Sequence, residues 1–337
     1  MKTIIYSTKF FERTYFEQAN VIGHELKMVE EALSLETACL AKDCSVVCVF
    51  TSDDVSAPVL LQLQELGVRY IAVRATGYDN VDIQTALSLG MKVANVPEYS
   101  PHGIAEHAVG LMLALSRKLM LANQQVHHYN FKVDDLIGFN LQHKTVGIVG
   151  TGKIGSAMAK ILHGFGCHLL GYDIHENKEL VEKYGLHYME LEMLCRLSDV
   201  ITIHVSLNEH TEQLIDKEMI EIMKKGVMVI NTARGAVVNT MNVIEGIENG
   251  HIGYFGTDVY EKEKGVFFND YSNKTFEDTM LKKLLSFPNV LLTPHQAFAT
   301  KESLYTISTT TFHNIGCWAL EQNSANELHF EPNIRSR

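Results

Sequence analysis

The chain has 337 residues, 46% of them hydrophobic and 20% charged, so it has material for two globular domains and is too apolar for a disordered one. Forty acidic against 29 basic residues leave a net charge of −11, which excludes the clustered positive surface that nucleic-acid binding needs. No apolar run approaches the length of a membrane span, and the opening MKTIIYSTKFFERTYFEQ carries no signal-type apolar core. Six cysteines (Cys39, Cys44, Cys48, Cys167, Cys195 and Cys317) are scattered without a Cys-x-x-Cys pair. Buried free thiols, no metal site and a soluble, reduced, cytoplasmic protein are therefore expected.

Short β-rich runs recur along the chain. In the first hundred residues they are Thr3–Ser7, Ser45–Phe50, Arg69–Arg74 and Lys92–Val96, with helical spacing between them, as in Pro58–Leu66. Strands alternating with helices predict right-handed crossovers and a parallel sheet. Ser100-Pro101 opens a long helix, since serine caps and proline fits a first turn. Its apolar stripe is Ile104, Ala108, Leu111, Leu115, Leu119 and Ala122. After a loop near Asn130–Gln142, a second series follows: Thr145–Val149, Leu169–Tyr172, Val200–Val205, Val227–Asn231, Ile252–Asp258 and Val290–Thr293, with helices such as Ile154–Phe165 and Lys217–Met223 between them. The last helix spans about Lys301–Glu321, followed by a polar tail to Arg337. Two α/β sheets fit, and the residues alone do not assign the last helix to either.

Gly150-Thr151-Gly152-Lys153-Ile154-Gly155 is a GxGxxG, weak alone in a chain with 23 glycines. Here it follows the apolar strand Thr145–Val149 and opens an amphipathic helix. The next strand ends at Asp173, eighteen residues past Gly155. That acid is placed to bind adenosine ribose hydroxyls, and the turn with its helix N-terminus suits a pyrophosphate. The alternative is a bare structural turn. The Asp173 carboxylate accepts from a free 2′-hydroxyl and repels a 2′-phosphate. With His175 but no arginine close behind it, NAD is favoured over NADP.

A nicotinamide enzyme that reduces a carbonyl needs a proton donor and a cationic anchor, both sought at strand ends. Arg234 follows the strand Val227–Asn231, and a guanidinium there can hold a carboxylate with two parallel hydrogen bonds. His295 follows Val290–Thr293, and imidazole suits acid–base work near neutral pH. Glu263 sits in the acidic run after Asp258. The plain alternatives are a surface arginine, one structural histidine among 16, and a solvated charged loop.

Six segments in order, TGYDNVD (76–82), NVPEYSPHGIAEHAVG (95–110), GIVGTGKIG (147–155), INTARGAVVN (230–239), GTDVYEKE (256–263) and TPHQAF (293–298), carry a resemblance to the D-isomer-specific 2-hydroxyacid dehydrogenases over essentially the whole chain. Within that family the chain is most similar to the fermentative D-lactate dehydrogenases of bacteria. The resemblance implies two doubly wound parallel-sheet α/β domains: a Rossmann-type NAD domain, 100–298, and a discontinuous flavodoxin-like substrate domain, 1–99 plus 299–337, with the active site in the cleft between them. It makes Arg234 the substrate carboxylate clamp, His295 the proton donor and Glu263 the histidine's partner. Thr76 and Gly77 become backbone donors to the substrate, with Tyr99 beside the site. Phe50 and Phe298 line a pocket sized for a methyl group, the alternative being ordinary core aromatics. Gly150, Gly152, Lys153, Ile154, Gly155, Asp173, Val205, Ser206, Thr232, Ala233 and Asp258 match cofactor-contact positions, Ser206 standing where many relatives have proline.

Reduction of pyruvate to D-lactate by NADH is the activity expected, with larger 2-keto acids as the alternative substrates. A non-catalytic NAD-sensing interaction protein is the rival from another class. The small-molecule substrate and a second copy of the chain, in a homodimer or homotetramer through the helix near 105–122, are the partners expected. His127 and His128, at the end of that helix, read as solvent-facing.

Overall fold

The computed structural model describes residues 1–329 and divides into two compact units, Met1–Ser100 with the chain from Ala299 onward, and Pro101–Phe298. Part of the expected polar tail, 330–337, lies outside the described residues.

In the first unit, strands β1 (Lys2–Ile5), β2 (Glu25–Met28), β3 (Val46–Val49), β4 (Tyr70–Val73) and β5 (Lys92–Ala94) form one parallel sheet in the order β2-β1-β3-β4-β5. Alternate side chains go to opposite faces of a strand, and here both faces are covered. Ile4, Val47, Val49, Ile71 and Val93 pack with Leu60 and Leu63 of the helix Ala57–Glu65. Ile5, Val46, Cys48, Ala72 and Ala94 pack with Phe16 and with Phe312, Ile315 and Trp318 of the last helix, Lys301–Ala319. That helix therefore belongs to this unit: the Trp318 ring stacks on Tyr70 at 5.0 Å, and Asn314 Nδ2 donates to Asn95 O. Burial of each large apolar side chain stabilises by about 1.5–3 kcal/mol, which is why these strands read as near-continuous apolar runs.

The second unit carries β6 (Thr145–Val149), β7 (His168–Tyr172), β8 (His187–Tyr188), β9 (Val200–Ile203), β10 (Val227–Asn231), β11 (Ile252–Thr257) and β12 (Val290–Leu292). All are parallel, in the order β12-β11-β10-β9-β6-β7-β8, a doubly wound Rossmann arrangement that reverses direction between β6 and β9. Val146, Ile148, Met228 and Ile230 face the helices Pro101–Ser116 and Lys153–Gly164. Val149, Ile201, Ile203 and Val229 face the helices Leu191–Leu197, Thr240–Glu248 and Thr279–Leu285.

The single long helix expected through Ala122 is two helices, Pro101–Ser116 and Leu119–His127. The break comes from a distant segment. Phe139 N donates to Ser116 O, and Gly138 lies so close to that carbonyl that a Cβ would overlap it. Lys118 then takes a left-handed turn, φ +49°. Leu119 leaves the apolar stripe and is half-exposed. His127 and His128 are exposed, each ring bonded to a carbonyl one turn back. Among the described residues no helix is long and apolar enough to cross a membrane.

Candidate active site

Parallel strands that lie side by side end on the same side of a sheet, so the loops after β10, β11 and β12 are neighbours by topology. Those loops carry Arg234, Glu263 and His295. The first is folded by Asn231, buried at the end of β10: its Oδ1 accepts from Ala233 N at 3.0 Å and its Nδ2 donates to Arg234 O at 2.9 Å. Gly235 then passes so near the Tyr260–Glu261 backbone that any Cβ would overlap it, and the arginine turn abuts the glutamate loop. Arg234 itself is half-buried, its Nη1 donating to Ala233 O at 2.9 Å.

His295 Nδ1 lies 2.7 Å from Glu263 Oε1, and the other glutamate oxygen accepts from Tyr260 N at 3.0 Å. An ionised carboxylate only accepts, so Nδ1 carries the proton of this bond. Nε2 is thereby left as the atom that can give or take a proton, with the carboxylate fixing the tautomer and the orientation of the ring. The Phe268 ring stands 6.1 Å from the imidazole. His295 also sits at φ +54°, a left-handed conformation that costs a residue other than glycine on the order of 1 kcal/mol and needs support from its surroundings. Asp258, 1% exposed, provides it. Its carbonyl accepts from His295 N at 2.7 Å, and its carboxylate accepts from Gln296 N at 2.9 Å and Ala297 N at 2.8 Å. The family resemblance implies only a cofactor contact for Asp258 and no role for Asn231 or Gly235. A buried acid directly after a strand was the available signal for the first of these.

The chain's fit to a dinucleotide is visible at the β6 turn. Gly150 adopts φ +91°, and a Cβ there would meet the His204 and Val205 backbone at 2.8 Å. A Cβ on Gly155 would overlap Gly150 O, whereas one on Gly152 would meet no atom within 4 Å, leaving space against the backbone at the helix start. Lys153 and Ile154 open that helix, and Asp173 ends β7 with Oδ2 accepting from Thr151 N at 2.6 Å and Oδ1 from His175 N at 3.0 Å. Oδ2 also accepts from Thr151 Oγ1 at 3.3 Å, and Oδ1 keeps a lone pair for a ribose hydroxyl. Thr232 Oγ1 and His204 Nδ1 are shielded from solvent and find no hydrogen-bond partner among the described residues. Burial pushes the His204 imidazole down to about 3, so it is neutral at working pH. Val205 and Ser206 follow it in the loop after β9, where Ser206 O accepts from Thr211 Oγ1 at 2.6 Å. Open space beside Gly152 and unpaired polar atoms at neighbouring strand ends are what a bound dinucleotide requires.

The remaining predicted residues belong to the first unit, Phe298 excepted. Thr76 and Gly77 follow β4, where Thr76 Oγ1 donates to Val96 O at 2.9 Å and Thr76 O accepts from Asn95 Nδ2 at 2.8 Å. Phe50 follows β3, buried, with the Arg74 guanidinium 4.9 Å from its ring. That guanidinium is itself buried and held by Glu12 Oε1 at 3.1 Å and Ser7 O at 3.0 Å. Tyr99 lies just beyond β5, and Phe298 is a buried residue at the end of the second unit.

A Rossmann sheet with a glycine turn at its first strand and a carboxylate-paired histidine at its far strands defines a nicotinamide-dependent dehydrogenase. Comparison with known proteins narrows the class. Residues 109–297 match the family described as D-isomer specific 2-hydroxyacid dehydrogenase, NAD binding domain. The chain is 43% identical to D-lactate dehydrogenase of Escherichia coli over 97% of its own length and the whole of that protein. Among solved structures it is similar to the pyruvate reductase of Chlamydomonas reinhardtii, with a TM-score of 0.89 and 40% identity over 97% of this chain and 98% of that one. It is also similar to D-lactate dehydrogenase of Aquifex aeolicus complexed with NAD and lactic acid, with a TM-score of 0.88 and 29% identity over 98% of this chain and 100% of that one. The chain belongs to the D-isomer-specific 2-hydroxyacid dehydrogenases and is an NAD-dependent oxidoreductase.

Proposed function

We propose that the chain reduces pyruvate to D-lactate, with His295 as the proton donor. The observation that carries this reading is the 2.7 Å bond from His295 Nδ1 to Glu263, which leaves Nε2 as the one ring atom free to reach a substrate oxygen. The 43% identity to a protein named D-lactate dehydrogenase supports the choice of substrate. Bound NADH supplies the hydride that reaches the keto carbon. His295 gives its Nε2 proton to the carbonyl oxygen as charge develops there, and Glu263 holds the ring in place through Nδ1. Arg234 takes the carboxylate with two parallel bonds, aided by the Thr76 and Gly77 backbone, and so decides which face of the ketone is attacked. Tyr99, Phe50 and Phe298 shape the space around the methyl group. On the cofactor side the glycine turn with Lys153 and Ile154 takes the pyrophosphate and Asp173 the ribose, while Val205, Ser206, Thr232, Ala233 and Asp258 complete the contacts.

A panel of initial rates with purified protein tests the reading. Pyruvate should be turned over with NADH, faster than phenylpyruvate, because the family resemblance gives Phe50 and Phe298 as the lining of a methyl-sized pocket. NADPH should be at least about tenfold less effective, equivalent to about 1.4 kcal/mol, since Asp173 repels a 2′-phosphate. A preference for phenylpyruvate would replace the lactate reading with that of a dehydrogenase for larger 2-keto acids. No NADH oxidation with any 2-keto acid would remove the proposal.

The reading includes a homo-oligomer. Met120, Tyr129, Phe131, Val133 and Ile137 expose their apolar side chains between residues 119 and 137, and Phe131 is 71% exposed. A second copy covering them removes a patch that a monomer would leave in water. Size-exclusion chromatography with light scattering should give at least twice the chain mass; a monomer at micromolar concentration contradicts it. A reducing cytoplasmic location completes the reading, supported by the buried free thiols of Cys44, Cys48 and Cys195.

A further inference from the structure

His107 lies in the helix Pro101–Ser116, beside the fully buried Ala105 and Ala108, yet its ring is turned toward the loop after β12. Its Nε2 is 2.9 Å from Thr293 Oγ1 and 3.4 Å from Asp258 Oδ1. Thr293 Oγ1 in turn donates to Asp258 Oδ1 at 2.5 Å. A hydroxyl has one proton, and this one goes to the carboxylate, so toward His107 the same oxygen can only accept. His107 Nε2 must then carry a hydrogen, and the ring acts as a donor to the Thr293–Asp258 pair.

We infer that His107 is a positioning residue for the proton donor, acting through Thr293 and Asp258 on the loop that holds His295. Asp258 clamps three successive backbone N–H groups, those of His295, Gln296 and Ala297. Those bonds keep His295 in its left-handed conformation. The Asp258 carbonyl holds His295 N, and the buried carboxylate holds the next two N–H groups, for which it has to keep one orientation so that both oxygens meet their donors. Thr293 and His107 fix the orientation of Oδ1, the oxygen that also accepts from Gln296 N. Without the imidazole the hydroxyl loses the bond that orients it, the carboxylate is free to rotate, and a smaller fraction of molecules presents His295 in register with its substrate.

The inference rests on the reading of His295 as proton donor, and its test separates the two. His107→Phe and the nearly isosteric Thr293→Val should each lower kcat with pyruvate and NADH about tenfold, while the KM for NADH stays within about twofold. The double variant should be no worse than either single one, because both break the same chain. His107→Gln, which keeps a donor amide at this position, should recover most of the rate. In a protein labelled with 15N-histidine, the His107 resonances, assigned by their loss in His107→Gln, should show hydrogen on Nε2. Normal kcat in His107→Phe or in Thr293→Val, additive losses in the double variant, no recovery with glutamine, or an Nδ1–H tautomer would each overturn the assignment. If the wild-type protein does not use pyruvate at all, the proposed reaction falls, and the tautomer still decides whether His107 is the donor to this loop.

Discussion

Replacing His295 by alanine should lower kcat for pyruvate reduction by about 10²–10⁴-fold, the span that a positioned general acid contributes. The ring is fixed at Nδ1 by Glu263 and from the backbone side by Asp258, so Nε2 is the ring atom left to deliver the proton. Alanine would also have to hold φ +54°, which can destabilise the loop and mimic a catalytic loss. His295→Asn removes that ambiguity, because asparagine tolerates the left-handed region and yet cannot relay a proton at neutral pH. Both variants should bind NADH with near-normal affinity, followed by nicotinamide fluorescence, and both should lose turnover to a similar degree. Wild-type rates in His295→Asn would take the proton transfer away from this residue.

What could be read in the chain beforehand was the part that local chemistry controls. Gly150 and Gly155 stand where a Cβ would strike backbone one turn or one loop away, a constraint that surfaces as glycine at fixed spacing after an apolar strand. The central strands β6 and β10 were legible to the residue, because burial on both faces demands an unbroken apolar run. The edge strand β2, Glu25–Met28, left no such signal: its side chains are exposed or half-exposed. Two-residue β8 was too short to register. The break at Lys118 was invisible because Gly138–Phe139 imposes it from a segment twenty residues further on. The same applies to the site. Arg234 and His295 stand out by type and by their place after strands, Glu263 by an acidic run, and the family resemblance gives the three their expected roles. Asn231 holds the Arg234 turn locally, but Asp258 acts on Thr293 and Ala297 across gaps of 35 to 39 positions, and such spacing has no sequence signature. His107 does leave a trace, a polar ring beside the buried apolar residues Ala105 and Ala108.

Arg234→Gln should cost about 10²–10⁴-fold in kcat/KM for pyruvate with little change in NADH affinity. Two charge-assisted hydrogen bonds to a carboxylate, each contributing about 1.5–3 kcal/mol, account for a loss of that size. The turn itself should survive, since Asn231 folds it through the backbone of residues 233 and 234 and Gly235 seats it against the Tyr260–Glu261 chain, neither of which involves the guanidinium. Arg234→Lys keeps the charge but offers a point donor in place of a planar fork, so it should recover only part of the loss. The decisive comparison uses a substrate that has no carboxylate. Hydroxyacetone should be a poor substrate for the wild-type protein and equally poor for Arg234→Gln, because the interaction removed by the mutation is already missing from the ligand. If the variant loses as much on hydroxyacetone as on pyruvate, Arg234 serves the architecture of the loop and the substrate carboxylate is held elsewhere.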